Sequence, residues 1–258
     1  MITLGPNQIE DLRHLQRLCG EKGADVVIIG ATAYRIFIDD FHRETIDIDL
    51  AVALDLADMA IFEEALVAEG WKRSDRPEHR WVARQGTLMD LLPAGEQLRA
   101  QGKLEWAKSG FTMSLAAFEH VFSEAMRVDL GKGLRFKVVP PRVQGLLKMA
   151  SYLDNPYGRR KDLLDFRRLL QFYEANTERI FSDPVFEAGL PDIEFAGAFL
   201  LGNDMHEIVT PKDDELIKAF VAKVNAELEH APATDFEGRD TATFRHQLSA
   251  FVKGLHPF

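Results

Sequence analysis

The sequence predicts an α+β protein in which a mixed-sheet domain, residues 1–140, is followed by a helical domain, residues 141–258. Before Pro140, short apolar or alternating runs typical of strands are interspersed with amphipathic helical stretches. After the Pro140-Pro141 pair, apolar residues recur only at helical spacing. A chain of 258 residues can bury a core without disulfide bonds, and its single cysteine, Cys19, cannot form one internally.

Each element of the predicted mixed sheet has a local signal. Apolar residues three or four apart predict helices, whereas alternation or a short apolar run predicts strands. The expected helices cover residues 9–19, 31–38 and 55–69, and the expected strands cover residues 25–30, 45–52, 81–84, 87–92 and 134–139. Strands 81–84 and 87–92 are expected to form a hairpin with a two-residue turn at Gln85-Gly86.

The second domain is predicted from helical periodicity alone. The expected helices cover residues 142–153, 160–175, 193–201, 212–229 and 241–254. The phenylalanines expected to pack its core are Phe195, Phe199, Phe220, Phe244 and Phe251.

Charge is distributed unevenly along the chain. The formal net charge is −10, yet residues 127–168 contain 11 basic and only 4 acidic side chains. The acidic total argues against non-specific coating of nucleic acid, and any RNA is expected to approach the basic segment. No apolar run approaches the roughly 20 residues of a membrane span, and the N-terminus has no basic-then-apolar leader. We therefore expect a cytoplasmic protein without a membrane partner.

Two aspartates lie on the most regular of the predicted strands. The strand period of two places Asp47 and Asp49 on one face, and it directs Ile46, Ile48 and Leu50 to the opposite face and a core. Two such carboxylates repel each other unless a cation lies between them. Mg²⁺ is a suitable cation, because it binds one or two carboxylates together with substrate phosphates.

Two further features favour a phosphate-handling site. Asp90 lies in the apolar run L-M-D-L-L, where a carboxylate is costly to bury unless it is paired or bound to metal. Gly30 ends a strand and precedes a helix, so that backbone amides there can approach a phosphate. The neighbouring pair Asp39-Asp40 is interpreted as a loop or helix-end pair outside the site.

These motifs resemble the nucleotidyltransferase superfamily related to DNA polymerase β, and most closely its AbiEii toxin-like branch. The resemblance depends on G-A-T-A at Gly30–Ala33, R-E-T-I-D-I-D-L at Arg43–Leu50 and D-L-L from Asp90. It implies a Mg²⁺-dependent enzyme that transfers a nucleoside monophosphate from an NTP to a hydroxyl acceptor.

The resemblance also implies roles for individual residues. Asp47 and Asp49 would ligate two Mg²⁺ ions, and Asp90 would ligate one of them and help to activate the attacking hydroxyl. The residues that would contact the triphosphate are Gly30, Ala31 and Thr32. Many relatives carry a serine at position 31, so Thr32 or backbone amides replace its hydroxyl here, or nucleotide affinity is weaker.

A second pattern in the basic segment resembles the same branch, in which a helix lysine precedes a K-D-x-x-D segment. The resemblance implies that Lys148 binds a nucleotide phosphate and that Asp162 supports the site, as Asp165 would from the same helix face. The alternative interpretation is an ordinary surface lysine and two charges that favour the start of a helix.

The acceptor and the biological setting stay open. The resemblance implies a toxin–antitoxin or phage-defence pair, with a cognate antitoxin and a transfer RNA acceptor stem as target. An enzyme acting on a small hydroxylated molecule, such as an aminoglycoside, would share every motif. Because of Ala31, a catalytically silent fold that binds nucleotide or a partner is a further alternative. Zinc is not expected, since the histidines lack metal-ligand spacing.

Overall fold

The computed structural model of the protein describes residues 4–38, 45–75, 77–106, 108–230 and 240–256. The chain divides into two compact units, Met1–Pro140 and Pro141–Phe258. The first unit contains strands and helices, and the described part of the second contains helices alone. The predicted α+β class with a mixed sheet is confirmed.

The first unit alternates strands with helices. Its strands are β1 (Val26–Ile28), β2 (Asp47–Val52), β3 (Lys72–Arg73), β4 (Arg80–Val82), β5 (Leu88–Pro93), β6 (Lys103–Glu105), β7 (Thr112–Ser114), β8 (Met126–Asp129) and β9 (Arg135–Val138). Its helices are α1 (Pro6–Glu21), α2 (Gly30–Phe37), α3 (Leu56–Ala68), α4 (Glu96–Gln101) and α5 (Phe118–Ser123).

Seven strands form one sheet in the order β3-β4-β5-β2-β1-β9-β8, and β6 pairs with β7 separately. β2 is at the centre, where it runs parallel to β5 and antiparallel to β1. Ile48 and Leu50 of β2 are buried, as the alternation predicted. Ile46 is instead 77% exposed, because the strand begins only at Asp47. The positions Asp39, Asp40 and Arg43 lie outside the described residues.

The turn of the β4–β5 hairpin is one residue longer than expected. The loop consists of Arg84–Gly86, closed by backbone hydrogen bonds on either side, and Gly86 has a φ of +91°. A left-handed residue is characteristic of three-residue hairpin loops. A two-residue turn would place Trp81 opposite Asp90, whereas the observed register places Arg80 there.

Several short elements of the first unit were not predicted, nor were α8 (Asp183–Glu187) and the 3-10 turn Glu178–Phe181 of the second. Those of the first unit comprise β3, α4, β6, β7, α5 and β8, each between two and six residues long. Segments this short do not complete enough of a period to be detected in the sequence. The start of α4 is held from a distance, because the Asp55 carboxylate accepts the amides of Gln97 and Leu98 at 3.3 and 2.9 Å.

The second unit is a set of helices around aromatic side chains. The helices are α6 (Pro141–Asp154), α7 (Arg160–Phe172), α8 (Asp183–Glu187), α9 (Ala196–His206), α10 (Pro211–Glu229) and α11 (Thr241–Leu255), with 3-10 turns at Glu178–Phe181 and Ile193–Phe195. The five phenylalanines expected in this core are all buried. Phe166 adds edge-to-face contacts with Phe220 and Phe251, with ring centroids 5.0 and 5.4 Å apart. Within the described ranges, every helix is too short or too polar to cross a membrane.

Candidate active site

The three aspartates singled out in the sequence share one face of the sheet. Asp49 of β2 and Asp90 of β5 are direct partners in the parallel register, and Asp47 lies two residues before Asp49. Neighbouring strands are about 5 Å apart, so side chains in register on one face lie close together. Asp90 is 6% exposed, whereas Asp47 and Asp49 are partly exposed. The pair of central strands therefore presents three carboxylates at one place.

The turn from β1 into α2 lies against the second of these carboxylates. Gly30, the first residue of α2, has a φ of +65°, and a Cβ there would lie 2.0 Å from Oδ2 of Asp49. The amide of Ile29 also donates to the carbonyl oxygen of Asp49 at 2.9 Å. Only glycine permits both this backbone conformation and this close approach. The glycine motif and the D-x-D motif are thus one structural unit.

The structure adds an arginine to the three aspartates. Arg80 donates from Nε to Oδ1 of Asp90 and from Nη2 to Oδ2, both at 2.8 Å. The same Nη2 also donates to Oδ2 of Asp47. Two oxygens that share one donor nitrogen lie within about 6 Å of each other. The hydrogen bonds to Asp90, together with the charges of Asp47 and Asp49, raise the pKa of Arg80 above its usual value.

The position of Arg80 is set by the residues just before it. Glu78 accepts two backbone amides from the loop between β6 and β7, at 3.1 and 2.7 Å. His79 packs on the ring of Trp106 with centroids 5.1 Å apart, and its Nε2 is 3.6 Å from Oδ2 of Asp90. The small β6–β7 sheet therefore supports the segment from which Arg80 reaches the carboxylates.

The environment of Asp90 keeps it ionised. Burial alone would raise the pKa of Asp90, but the hydrogen bonds from His79 and Arg80 lower that pKa to about 2. At neutral pH the group is a carboxylate suited to holding a cation. While Arg80 is bound to Asp90, the low pKa of Asp90 makes this carboxylate a weak proton acceptor.

The first turn of α2 offers its backbone rather than its side chains. Ala31 and Thr32 are 5% and 1% exposed. The Thr32 hydroxyl donates to the carbonyl oxygen of Asp47 at 3.3 Å, so it joins α2 to β2. Of the two replacements expected for the missing serine hydroxyl, this geometry favours the backbone amides.

The donor set fits a divalent cation. Three carboxylates and one guanidinium leave a formal charge of −2, and carboxylate oxygens are the ligands that Mg²⁺ prefers. No three His, Cys, Asp or Glu side chains of the described ranges form a ready-made metal-binding group. The cation between Asp47 and Asp90 is the guanidinium of Arg80.

The residues of the second pattern form an ion cluster within the helical unit. Lys148 of α6 donates to Asp162 and Asp165 of α7 at 2.8 and 2.7 Å. Arg159 lies 2.8 Å from Asp162, which also accepts from Ser151 at 3.0 Å. Burial opposes the charge on Lys148, but the two carboxylates outweigh it and raise the pKa of Lys148. The predicted common face of the two aspartates is therefore used to hold the lysine.

Comparison with known families identifies the family of this chain. A family model described as the nucleotidyl transferase AbiEii toxin of type IV toxin–antitoxin systems matches residues 13–253. The chain belongs to the AbiEii family. It is accordingly a nucleotidyltransferase. No curated protein matches the sequence of this AbiEii protein.

Several solved structures are similar to this AbiEii protein at low sequence identity. The solution structure of the antibiotic-resistance factor ANT(2'')-Ia is 14% identical with a TM-score of 0.43, over 88% of this chain and 98% of that chain. A nucleotidyltransferase-like antigenic protein from Paracoccidioides brasiliensis is 16% identical with a TM-score of 0.41, over 78% and 90%. A Thermotoga maritima CCA-adding enzyme complexed with tRNA is 15% identical with a TM-score of 0.32, over 84% and 52%.

Sequence reasoning missed Arg80. The hairpin pattern contained the necessary signal, because opposite residues of an antiparallel pair share a face. The assumed two-residue turn placed Trp81 opposite Asp90 and so directed Arg80 to the other face. The observed three-residue loop corrects the register by one residue and pairs Arg80 with Asp90.

Proposed function

We propose that this AbiEii protein transfers a nucleoside monophosphate from an NTP to a hydroxyl group at an RNA end and releases pyrophosphate, in a Mg²⁺-dependent reaction. The observation that supports this most directly is the register that pairs Asp49 with Asp90. Asp47 shares their face, and the backbone of Gly30 lies against Asp49. Carboxylates beside a strand-to-helix turn suit a metal-bound triphosphate.

Each residue of the site has a distinct part in the proposal. Asp47 and Asp49 would hold two Mg²⁺ ions, which when bound would neutralise the charge of the phosphates. Asp90 would hold one ion and accept the proton of the attacking hydroxyl. The amides at the first turn of α2, from Gly30 onward, contact the triphosphate oxygens.

The helical unit contributes the second part of the proposal. Lys148 binds a phosphate oxygen of the nucleotide, and Asp162 and Asp165 hold its ammonium group in place. An RNA acceptor approaches the basic segment 127–168, where opposite charges favour association. The type IV toxin–antitoxin description of the family supports a cognate antitoxin partner. The setting that we propose is cytoplasmic, and the target that we propose is a transfer RNA acceptor stem.

The test follows a labelled α-phosphate. The protein is incubated with Mg²⁺, total RNA and each of the four α-³²P-labelled NTPs in turn. We expect label in RNA with the wild type and with Glu105→Gln, an exposed carboxylate on β6 used as control. Asp49→Asn should abolish incorporation. Label in a small molecule would redirect the proposal to an aminoglycoside-type acceptor, and an absence of transfer to any acceptor would contradict it.

A catalytically silent nucleotide-binding module is the second candidate. Two observations favour it, namely Ala31 in place of a serine and the guanidinium between Asp47 and Asp90. Isothermal titration with Mg²⁺ and each NTP, combined with the labelled-NTP transfer assay, separates the candidates. Metal-dependent binding that Asp47→Asn removes, without any transfer, would support the silent module.

A further inference from the structure

We propose that Arg80 changes its binding partner when metal binds. Before metal binds, its guanidinium neutralises Asp47 and Asp90. After metal binds, the side chain turns so that the guanidinium donates hydrogen bonds to a phosphate oxygen of the metal-bound nucleotide. This inference rests on the proposed nucleotidyl transfer and deepens it. It assigns Arg80 as a positioning and nucleotide-binding residue outside the motifs that the sequence analysis identified.

Arg80 and a divalent cation would compete for the same carboxylate oxygens. Both oxygens of Asp90 and one oxygen of Asp47 accept hydrogen bonds from Arg80. A divalent cation that uses these oxygens as ligands takes the acceptors that hold the guanidinium. Two cations in contact with one carboxylate pair also repel each other. This competition favours release of Asp47 and Asp90 by Arg80 when the two carboxylates become metal ligands.

The released guanidinium of Arg80 binds a phosphate oxygen of the nucleotide in this proposal. Arg80 keeps its charge at all physiological pH values, so it needs another anion close by. Its side chain is 26% exposed and stands on the same face as the carboxylates, where the metal-bound triphosphate would lie. The planar guanidinium matches phosphate oxygens as well as it matches a carboxylate. A phosphate oxygen of the nucleotide is therefore the anion that we expect the released guanidinium to bind.

The change of partner by Arg80 needs only a movement of its side chain. The backbone before Arg80 is anchored by Glu78 on the β6–β7 loop and by His79 on Trp106. Arg80 itself is paired with Asp90 in the β4–β5 register. The strand can stay in place while the long side chain turns from the carboxylates to the nucleotide.

The test measures binding rather than turnover. Mn²⁺ alone is titrated into the wild type, Arg80→Gln, Arg80→Lys and Arg84→Gln, and free Mn²⁺ is followed by electron paramagnetic resonance. Arg84 lies in the loop of the same hairpin with its side chain 51% exposed, and it serves as the matched control. Loss of the competing charge should lower the Kd for Mn²⁺ of Arg80→Gln by at least about tenfold. Arg80→Lys, which keeps the charge, should stay close to the wild type.

The second half of the test titrates each NTP at saturating Mn²⁺. Arg80→Gln should weaken binding of the NTP that the wild type prefers by about tenfold or more, through loss of a charge-assisted hydrogen bond. Arg84→Gln should bind like the wild type. Thermal unfolding checks that each variant is folded, and Mn²⁺ should raise the Tm of Arg80→Gln more than that of the wild type.

The outcomes separate this inference from the proposed function. Unchanged Mn²⁺ and NTP affinities in Arg80→Gln would overturn the exchange, even if the wild type shows metal-dependent NTP binding. Tighter Mn²⁺ binding with unchanged NTP affinity would overturn the phosphate-binding half. If the wild type binds no NTP at any Mn²⁺ concentration, both the exchange and the proposed nucleotidyl transfer are contradicted.

Discussion

The ion pair of Asp90 has a measurable consequence for stability that depends on pH. The pKa of Asp90 falls from 3.8 to about 2 on folding. A difference of this size corresponds to about 2 kcal/mol of folding free energy from the ionised form. Because the folded pKa is the lower one, this stabilisation is complete above about pH 4 and is lost as the pH falls toward 2. Asp90→Asn removes the charge at every pH.

Urea denaturation in the presence of EDTA tests this reasoning for the wild type and Asp90→Asn. At pH 7 the variant should be less stable by about 2 kcal/mol, and at pH 3 the difference should shrink to about 1 kcal/mol. Glu105→Gln, an exposed carboxylate on β6, is the control and should differ little from the wild type at either pH. An equal difference at both pH values would refute the assignment of the stabilisation to the ionised carboxylate.

Three other substitutions, one of them with a control variant, test close contacts and a helix cap within the two units. Gly30→Ala should lower the free energy of unfolding by at least about 1–2 kcal/mol in urea denaturation, because alanine is strained at this φ. The added Cβ should also displace Asp49 and so remove the metal-dependent nucleotide binding that calorimetry measures. Gly254→Ala should cost about 2 kcal/mol or more, since its Cβ would lie 2.0 Å from a backbone oxygen of α9, whereas Gly20→Ala has open space and should be neutral or stabilising in the same assay. Asp55→Ala should lower the unfolding free energy by about 1 kcal/mol through the uncapped start of α4, and an unchanged value would contradict the capping role.

Much of the fold could be predicted because its signals are local. The alternation around Asp47 and Asp49 placed both carboxylates on one face, and the structure has them there on β2. Helical periodicity predicted the longer helices of the second unit, although the helix expected at 193–201 begins as a 3-10 turn and extends to His206. The short elements between β5 and β9 escaped prediction because three to six residues do not establish a period.

The contacts within the ion cluster of the second unit could not be predicted from local patterns. The sequence placed Asp162 and Asp165 on one helix face but did not show that both would hold Lys148. That contact depends on how α6 packs against α7, which brings together residues 14 and 17 positions apart. Packing of this kind depends on the shapes of both helices and leaves no periodic signal in either.

The sequence by itself determined the class of fold, the common face of Asp47 and Asp49 on β2 and the residue types that suit a metal-bound phosphate. The tertiary structure decided which cationic side chain contacts Asp90, namely Arg80. The loop before β5 has three residues, Arg84–Gly86. The amide of Gln85 within it and the amide of Thr87 just after it donate to the carboxylate of Asp11 on α1, up to 76 residues away in the chain. One residue more or less in a hairpin loop exchanges the faces of the strand, so this distant contact helps to place Arg80 opposite Asp90. Local patterns specify side-chain direction within an element, but register between elements depends on hydrogen bonds that only the folded chain brings together.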